Sequence, residues 1–226
     1  MASERVAILF DIDGTLISSG GAGARSWDWA FRELHGVPAD IGAFTDSGMT
    51  DPEVGRLTFE SVIGREPSPQ ELWTLIGGYL DRLPHEVRTS KGYKVLPNVE
   101  KTLQRLTADR IPLGITSGAV EAAAHIKLSR AGLNRYFSFG GYGSDSADRV
   151  RLTRRALERG DEVLGKTLHA PRVLVVGDTP SDIDAAHGVG AVGVGVATGK
   201  FSAAELEAAG AEHVLASLRE SLPGFE

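Results

Sequence analysis

The sequence contains no cysteine among its 226 residues. It can therefore form no disulfide framework, no thiolate metal site and no cysteine nucleophile. Long apolar runs are also missing, and the first residues show no basic region followed by an apolar stretch, so neither a membrane span nor a signal peptide is expected. These absences predict a soluble, cytoplasmic protein with no membrane partner.

Positive charge is also in short supply. Lys and Arg number 24 against 30 Asp and Glu, and the formal net charge is -6. The basic residues are scattered along the chain and form no block. Because nucleic-acid binding needs clustered cations that face the phosphate backbone, the sequence predicts no nucleic-acid partner. The oligomeric state stays open.

Two aspartates directly follow the first apolar run of the chain. Residues 6–10 are all apolar, and Asp11 and Asp13 come next, in FDIDGTL. In extended backbone, residues two apart lie on the same side, so we expect the two carboxylates to be close together. Such charges repel each other unless a cation or a shared proton compensates them. The pattern predicts a metal site at the end of a buried strand.

Short apolar runs recur along the chain with helical patterns between them, which is typical of an α/β fold with a parallel sheet. The predicted strands are residues 6–10, 111–115, 173–176 and 191–196. Helices are predicted over 119–131 and 152–159. A further helix is expected from Val99, with Asn98 as its N-cap.

Residues 20–92 interrupt this alternation because they show helical patterns and no strand pattern. An apolar stripe predicts a helix over 27–34, and start signals at 50–53 and 68–71 predict two more. We expect the apolar stripes and the three tryptophans to form the core of this segment. The segment is therefore predicted to be a helical cap inserted after the first strand, with glycines near residue 20 as a hinge. Residues 1–19 and 93–226 would then form the α/β core.

Polar motifs follow three of the predicted strands, at the ends where ligands bind in a doubly wound sheet. The candidate residues are Asp11 and Asp13, then Thr116, Ser117 and Gly118, then Asp178 and Asp182. Arg149 adds a candidate cation. Carboxylates, a hydroxyl at a helix start and a cation are the groups that a Mg²⁺-assisted reaction on a phosphate needs.

The motifs FDIDGTL, VVGDTPSDI and LGITSG resemble those of haloacid dehalogenase-superfamily hydrolases. Within that superfamily the chain is similar to the phosphoglycolate phosphatase-like members, and the resemblance covers nearly its whole length. It implies a Rossmann-like core with an inserted helical cap. It also implies a Mg²⁺-dependent hydrolase that cleaves a small phosphorylated metabolite through a phospho-aspartyl intermediate.

The resemblance implies a role for each motif residue. Asp11 matches the nucleophile and a Mg²⁺ ligand, and Asp13 matches the general acid/base, whose backbone carbonyl completes the metal shell. Asp178 matches the metal carboxylate, and Asp182 is expected to hold a metal-bound water or the loop. Thr116 matches the phosphate-binding hydroxyl.

Substrate contacts are expected on both sides of the site. Backbone N–H groups of Ser117 and Gly118, where a helix begins, would add anion binding. The segment DSGMTDPEV resembles a cap loop that in many relatives contains Gly-Arg-Thr-Asp, and Met49 stands where the arginine would be. If that arginine contacts a substrate carboxylate in relatives, its absence weakens the case for phosphoglycolate. Arg25 and Thr50 remain as cap-side candidates.

The chain departs from the family pattern at one catalytic position. The family usually places a lysine before the helix that leads to the last motif, and GSDSADRVRLTRRAL contains none. Arg149 is predicted to take that place, because a guanidinium can neutralise Asp11 and hold phosphate with two hydrogen bonds. Arg151 is the alternative.

Three other functions fit the same fold. A phosphoglucomutase-type phosphotransferase uses this site, and the motifs do not exclude it. A metal-free haloacid dehalogenase shares the nucleophile, but Asp13 and the Asp178 motif argue against it. A catalytically silent binding module is disfavoured by the intact aspartates and kept open by the missing lysine.

Overall fold

The computed structural model of the chain describes residues 7–225, so Val6 and the outermost residues of the predicted core lie outside the described residues. The strands are β1 (Ala7–Phe10), β2 (Ile17–Ser18), β3 (Lys94–Val95), β4 (Leu113–Ser117), β5 (Phe139–Tyr142), β6 (Val173–Gly177), β7 (Val192–Val196) and β8 (His213–Leu215). The helices are α1 (Ala22–His35), α2 (Asp51–Ile63), α3 (Pro69–Thr89), α4 (Val99–Ala108), α5 (Glu121–Ser129), α6 (Arg149–Leu164), α7 (Pro180–Val189) and α8 (Ala203–Ala208).

Six strands form one parallel sheet in the order β5-β4-β1-β6-β7-β8. Strand β1 lies in the middle, and Phe10 is in register with Ile115 on one side and Val176 on the other. All four residues of β1 are fully buried, as the continuous apolar run predicts. The predicted Rossmann-like α/β fold is confirmed. Among residues 7–225, no helix combines the length and hydropathy that a membrane span requires.

The sequence patterns located four of the six strands of this sheet, and they missed the other two as well as both strands of the β2-β3 pair. The strand expected at 111–115 begins at Leu113 instead, and β5 and β8 were not predicted. The sequence of β5 is FGGY, whose two glycines dilute the apolar pattern, and β8 has only three residues. Sheet pairing stabilises both segments, and pairing is not visible in a local pattern.

Glycine at position 141 lets α6 pack directly on the backbone of β5. A Cβ at Gly141 would overlap the carbonyl oxygen of Leu152. We expect Gly141→Ala to lower the free energy of unfolding by about 2 kcal/mol or more, because neither backbone can move away without disturbing the sheet. Gly23→Ala is the matched control, since a Cβ there meets nothing within 4 Å inside α1. Urea denaturation should show a gain of about 0.5–1 kcal/mol for the control; an equal loss in both variants would contradict this packing.

Helices α1, α2 and α3 fill the segment predicted to be the cap, and residues 20–93 contain no strand. Strand β2 precedes the helical segment and β3 follows it, and the two strands pair with each other in antiparallel orientation. Gly20 has a φ of 61°, and a Cβ there would overlap the backbone of Gly92. The chain thus enters and leaves the helical segment through closely apposed glycines. The division into a core of 1–19 and 93–226 and a cap of 20–92 stays a prediction.

The predicted helix starts before α2 and α3 are confirmed, because capping boxes occur at Thr50 and Ser68. Within the segment, Trp27 stacks on Tyr79 with ring centroids 4.4 Å apart. The expectation that all three tryptophans are buried is wrong for Trp73, which is 52% exposed. It lies beside the buried stripe of α3 and outside it.

Asn98 precedes α4 as expected but does not cap it through its side chain. Its backbone φ is 64°, and its Nδ2 donates a hydrogen bond to the carbonyl of Leu218, 2.8 Å away. The predicted capping interaction is therefore wrong. The side chain links α4 to the C-terminal segment, a contact that only the tertiary structure creates.

Candidate active site

Three buried carboxylates meet at the carboxyl ends of the central strands. Asp11 follows β1, Asp178 follows β6, and Asp182 lies in the first turn of α7. One oxygen of each carboxylate lies within 4.8 Å of the others. Strands β1 and β6 are parallel neighbours, so their last residues lie at the same edge of the sheet.

The cluster is electrostatically strained without a cation. Burial and the carboxylates of Asp182 and Asp178 raise the pKa of Asp11 well above its usual value, although Arg149 partly opposes them. Burial and Asp182 likewise raise the pKa of Asp178 to about 7, against a weaker opposing hydrogen bond from Thr15. Each shift means that the anionic forms cost free energy in this position. A bound cation would remove that cost.

The donor set fits Mg²⁺. All three side chains offer only oxygen, which is the ligand atom that Mg²⁺ prefers. Glycine surrounds the Asp178 carboxylate on two sides, because a Cβ at either Gly14 or Gly199 would overlap it. The absence of a side chain at Gly14 and Gly199 therefore leaves room for the carboxylate oxygens of Asp178.

The Asp13 carboxylate lies outside this cluster. Its Oδ2 accepts a hydrogen bond from Lys127 Nζ at 2.6 Å, and its side chain is 41% exposed. The two carboxylates, which their spacing predicts to lie close together, have different partners: Asp11 belongs to the buried cluster, and Asp13 pairs with Lys127. The chain bends at Ile12, between the two aspartates, so the extended geometry assumed for the pair does not hold. The Asp13 carbonyl as a metal ligand stays a prediction.

Arg149 reaches the cluster from the start of α6. Its guanidinium forms an ion pair with Asp182, and Nη2 lies 3.6 Å from Asp11 Oδ1. The side chain is only 11% exposed, whereas Arg151 is 80% exposed and pairs with Asp148. Asp148 also caps α6, which begins three residues before the predicted start at 152. The geometry places Arg149 in the site and Arg151 outside it.

Thr116 does not face the site cavity. It is completely buried, and its Oγ1 lies 2.7 Å from Thr153 Oγ1 on α6. Ser117 and Gly118 do line the cavity. Successive side chains of a strand point to opposite faces, so the hydroxyl one residue later is the one that the sheet presents to the cavity.

The cavity has a volume of about 510 Å³ and lies between the sheet edge and the helical segment. Met49 and Asp51 line it from the helical segment. The two predicted cap-side contacts do not. Arg25 pairs with Glu86 at 2.7 Å, and Thr50 is buried with its hydroxyl 3.1 Å from the Glu53 carboxylate. Arg25 thus links α1 to α3, and Thr50 caps α2.

Sequence reasoning missed Lys127 and Asp51. Lys127 lies on α5, is nearly completely buried and also lines the cavity. Its position was signalled by helical spacing, since it shares a face with Ala123 and Ala124, which are four and three residues earlier. A lysine on an apolar helix face needs a partner for its charge, which Asp13 supplies.

The chain is similar to known proteins over most of its length. The family model described as haloacid dehalogenase-like hydrolase matches residues 6–190. A phosphoglycolate phosphatase of Yersinia pestis is 29% identical over 96% of this chain and 92% of its own length. One from Neisseria gonorrhoeae is 30% identical over 85% of this chain and 80% of its own. The crystal structure of CbbY from Rhodobacter sphaeroides in complex with phosphate is 18% identical, with a TM-score of 0.76 over 98% of this chain and 99% of that one, and shows a shared fold.

Proposed function

The chain belongs to the haloacid dehalogenase-like hydrolase family and is a phosphatase of that family, and on this premise we propose that it hydrolyses a small phosphorylated metabolite with the help of Mg²⁺. The proposed route runs through a phosphorylated Asp11. The observation that carries the proposal is the meeting of three buried carboxylates, Asp11, Asp178 and Asp182, beside the guanidinium of Arg149.

In the proposed reaction Asp11 is the nucleophile and Asp13 is the general acid/base. A carboxylate oxygen of Asp11 attacks phosphorus while the bond from phosphorus to the leaving alcohol oxygen breaks. Asp13 donates a proton to that oxygen, and then takes a proton from the water that hydrolyses the aspartyl phosphate. The separation of the Asp13 carboxylate from the buried cluster suits this division of work, because it lies beside the cavity and is accessible to solvent.

Charge around the phosphoryl group is proposed to come from the side chains and backbone already described. Arg149 has a buried Nε with no hydrogen-bond partner among the described residues, and a phosphoryl oxygen would satisfy it. Ser117 and Gly118 supply a hydroxyl and backbone N–H groups at the wall of the cavity. Thr116 would then act by holding β4 against α6 through Thr153.

Asp11, Asp178 and Asp182 are the side chains that would hold Mg²⁺, and the Asp13 carbonyl is proposed as a further ligand. When bound, the ion supplies positive charge that offsets the repulsion among these carboxylates and the phosphate oxygens. Two of these carboxylates also accept hydrogen bonds from the protein: Thr15 donates to Asp178, and the backbone N–H of Thr179 donates to Asp182. These hydrogen bonds orient the carboxylates before substrate enters.

A cavity of about 510 Å³ suits a small ester. Met49 lines part of the cavity wall, and its side chain carries no charge that could pair with a substrate carboxylate. We therefore do not propose a substrate whose carboxylate binds at this part of the wall. The experiment that tests the function is phosphate release from p-nitrophenyl phosphate and from a panel of metabolite phosphates, with and without Mg²⁺. Halide release from a 2-haloacid in EDTA would instead identify a dehalogenase. Phosphate exchange between sugar phosphates without net release would identify a mutase, and no turnover would favour a binding module.

Activity should depend on Mg²⁺, and Asp178→Asn should raise the Mg²⁺ concentration for half-maximal activity by about tenfold or more, because one anionic ligand is lost. The measurement is initial rate against Mg²⁺ concentration. Asp184→Asn is the matched control, since this aspartate is exposed on the same helix, α7, and should leave the titration unchanged. Undiminished activity of the wild type in excess EDTA would contradict the metal requirement.

A further inference from the structure

Lys127 is a buried cation that the proposed reaction does not use directly. It lies on α5, and its side chain is 9% exposed at the wall of the cavity. Its Nζ donates to Asp13 Oδ2 at 2.6 Å. Asp51 and Tyr79 also face the ammonium and interact with it electrostatically. The lysine therefore joins the acid/base residue to two residues of the helical segment.

The groups around Lys127 keep it charged. Burial alone would favour the neutral amine, but Asp13, Tyr79 and Asp51 outweigh it and raise the pKa of Lys127 well above its usual value. Two carboxylates compensate one ammonium. The charge of Lys127 is therefore already compensated by protein carboxylates, so its role is not to bind a substrate anion.

The partners of Lys127 are themselves tied to both sides of the cavity. Asp51, the first residue of α2, donates its backbone N–H to Gly118 O at 2.8 Å and accepts from Val120 N at 2.9 Å through its carboxylate. Tyr79 is completely buried on α3. Lys127 thus lies where α2 contacts the loop between β4 and α5 and where α3 packs against α5.

A second set of contacts holds the backbone of α5 to the end of α3. Tyr93 Oη donates to the carbonyl of Lys127 at 2.8 Å. Arg130 donates to the carbonyls of Val87 and Ser90 at 2.7 and 2.8 Å. These contacts hold the backbone at Lys127 without involving its side chain. A substitution of Lys127 can therefore be studied with α5 still in place.

We propose that Lys127 is a positioning residue that holds the Asp13 carboxylate at the leaving-group side of the cavity and makes this placement depend on the docked helices α2 and α3. Without the ammonium, Asp13 would face Asp51 with no cation between them, and repulsion would turn it towards solvent. The inference rests on the proposed phosphatase function, in which Asp13 is the general acid/base. It assigns to Lys127 no contact with the phosphoryl group.

The test compares two substrates on one preparation of Lys127→Met. The value of kcat/KM for an alkyl phosphate that the wild type hydrolyses should fall by about 100-fold, because an alkoxide leaves only with a proton from Asp13. For p-nitrophenyl phosphate, whose phenolate leaves without a proton, the fall should be about threefold or less. A misfolded fraction lowers both values by the same factor, so the ratio of the two substrates reports positioning alone.

A double-mutant cycle with Asp13→Asn identifies the residue through which Lys127 acts. The combined variant should be no slower on the alkyl phosphate than Asp13→Asn alone, since nothing remains to be positioned. Lys127→Arg should recover part of the loss, because it keeps the positive charge. Lys101→Met, at an exposed lysine of α4, is the matched control and should behave as the wild type.

Equal losses on both substrates, or losses that multiply in the combined variant, would overturn the inference. Wild-type rates in Lys127→Met with both substrates would also overturn it, while leaving the phosphatase assignment intact. A wild-type protein without phosphatase activity would instead refute the proposed function.

Discussion

Asp11→Asn is expected to lower kcat by about four orders of magnitude or more, because an amide of nearly the same shape is a poor nucleophile. The measurement is phosphate release from p-nitrophenyl phosphate and from the best metabolite phosphate. Wild-type protein quenched in acid during turnover should carry a phosphoryl adduct by mass spectrometry, and the variant should carry none. Substantial turnover by the variant would contradict covalent catalysis at this residue.

The same substitution should not destabilise the fold. Burial and neighbouring carboxylates raise the pKa of Asp11, so at neutral pH its ionised form is less favourable in the folded chain than in the unfolded one. A neutral side chain removes that cost. In EDTA the thermal midpoint of Asp11→Asn should therefore equal or exceed that of the wild type. A clearly lower midpoint would show that the loss of activity comes from unfolding.

Arg149→Ala should lower kcat/KM by about 100- to 1,000-fold, since phosphoryl transfer depends on positive charge held around the phosphoryl oxygens. Arg149→Lys should keep a measurable part of the activity because it retains the charge but loses the planar pair of donors. The control is Arg151→Ala, whose side chain is 80% exposed and which should remain close to wild type.

Loss of Arg149 also removes the cation that pairs with Asp182 and Asp11, so stability must be measured alongside activity. Adding methylguanidinium to Arg149→Ala should restore part of the rate if the defect lies in the missing charge. If Arg149→Ala is folded but methylguanidinium does not restore its rate, the role of Arg149 is structural. An essential Arg151 beside a dispensable Arg149 would contradict the geometry of the site.

The sequence by itself determined the features that depend on short stretches of chain. The apolar run before Asp11 predicts a buried strand because every second residue of such a strand faces the opposite side, and both sides are covered here. The helix starts at Thr50 and Ser68 follow from capping interactions that span only three residues. The motifs likewise place Asp11 and Asp178 directly after apolar runs, although the pairing of β1 with β6 that brings them together is a long-range contact.

Only the tertiary structure decided which way the side chains of the site point and what they touch. The bend at Ile12 and the ion pair with Lys127 place the Asp13 carboxylate outside the buried cluster that contains Asp11, although the spacing suggests a pair. Packing of α6 on β4 turns Thr116 towards Thr153 and leaves Ser117 at the cavity. Neither side-chain orientation can be predicted from a local sequence pattern, because each depends on elements that are distant in sequence.

The clearest example of this limit is the choice among cations. Arg149 and Arg151 are two residues apart and chemically identical, but only the first faces the carboxylates, because the start of α6 at Asp148 sets the helical phase. Lys127 precedes both in the chain and reaches Asp13 because the packing of α5 brings its Nζ to the residues that follow β1. Residue type decides what chemistry a side chain offers. The packing of helices on the sheet decides which of these side chains meet at the cavity, since close packing admits only one arrangement of neighbouring elements.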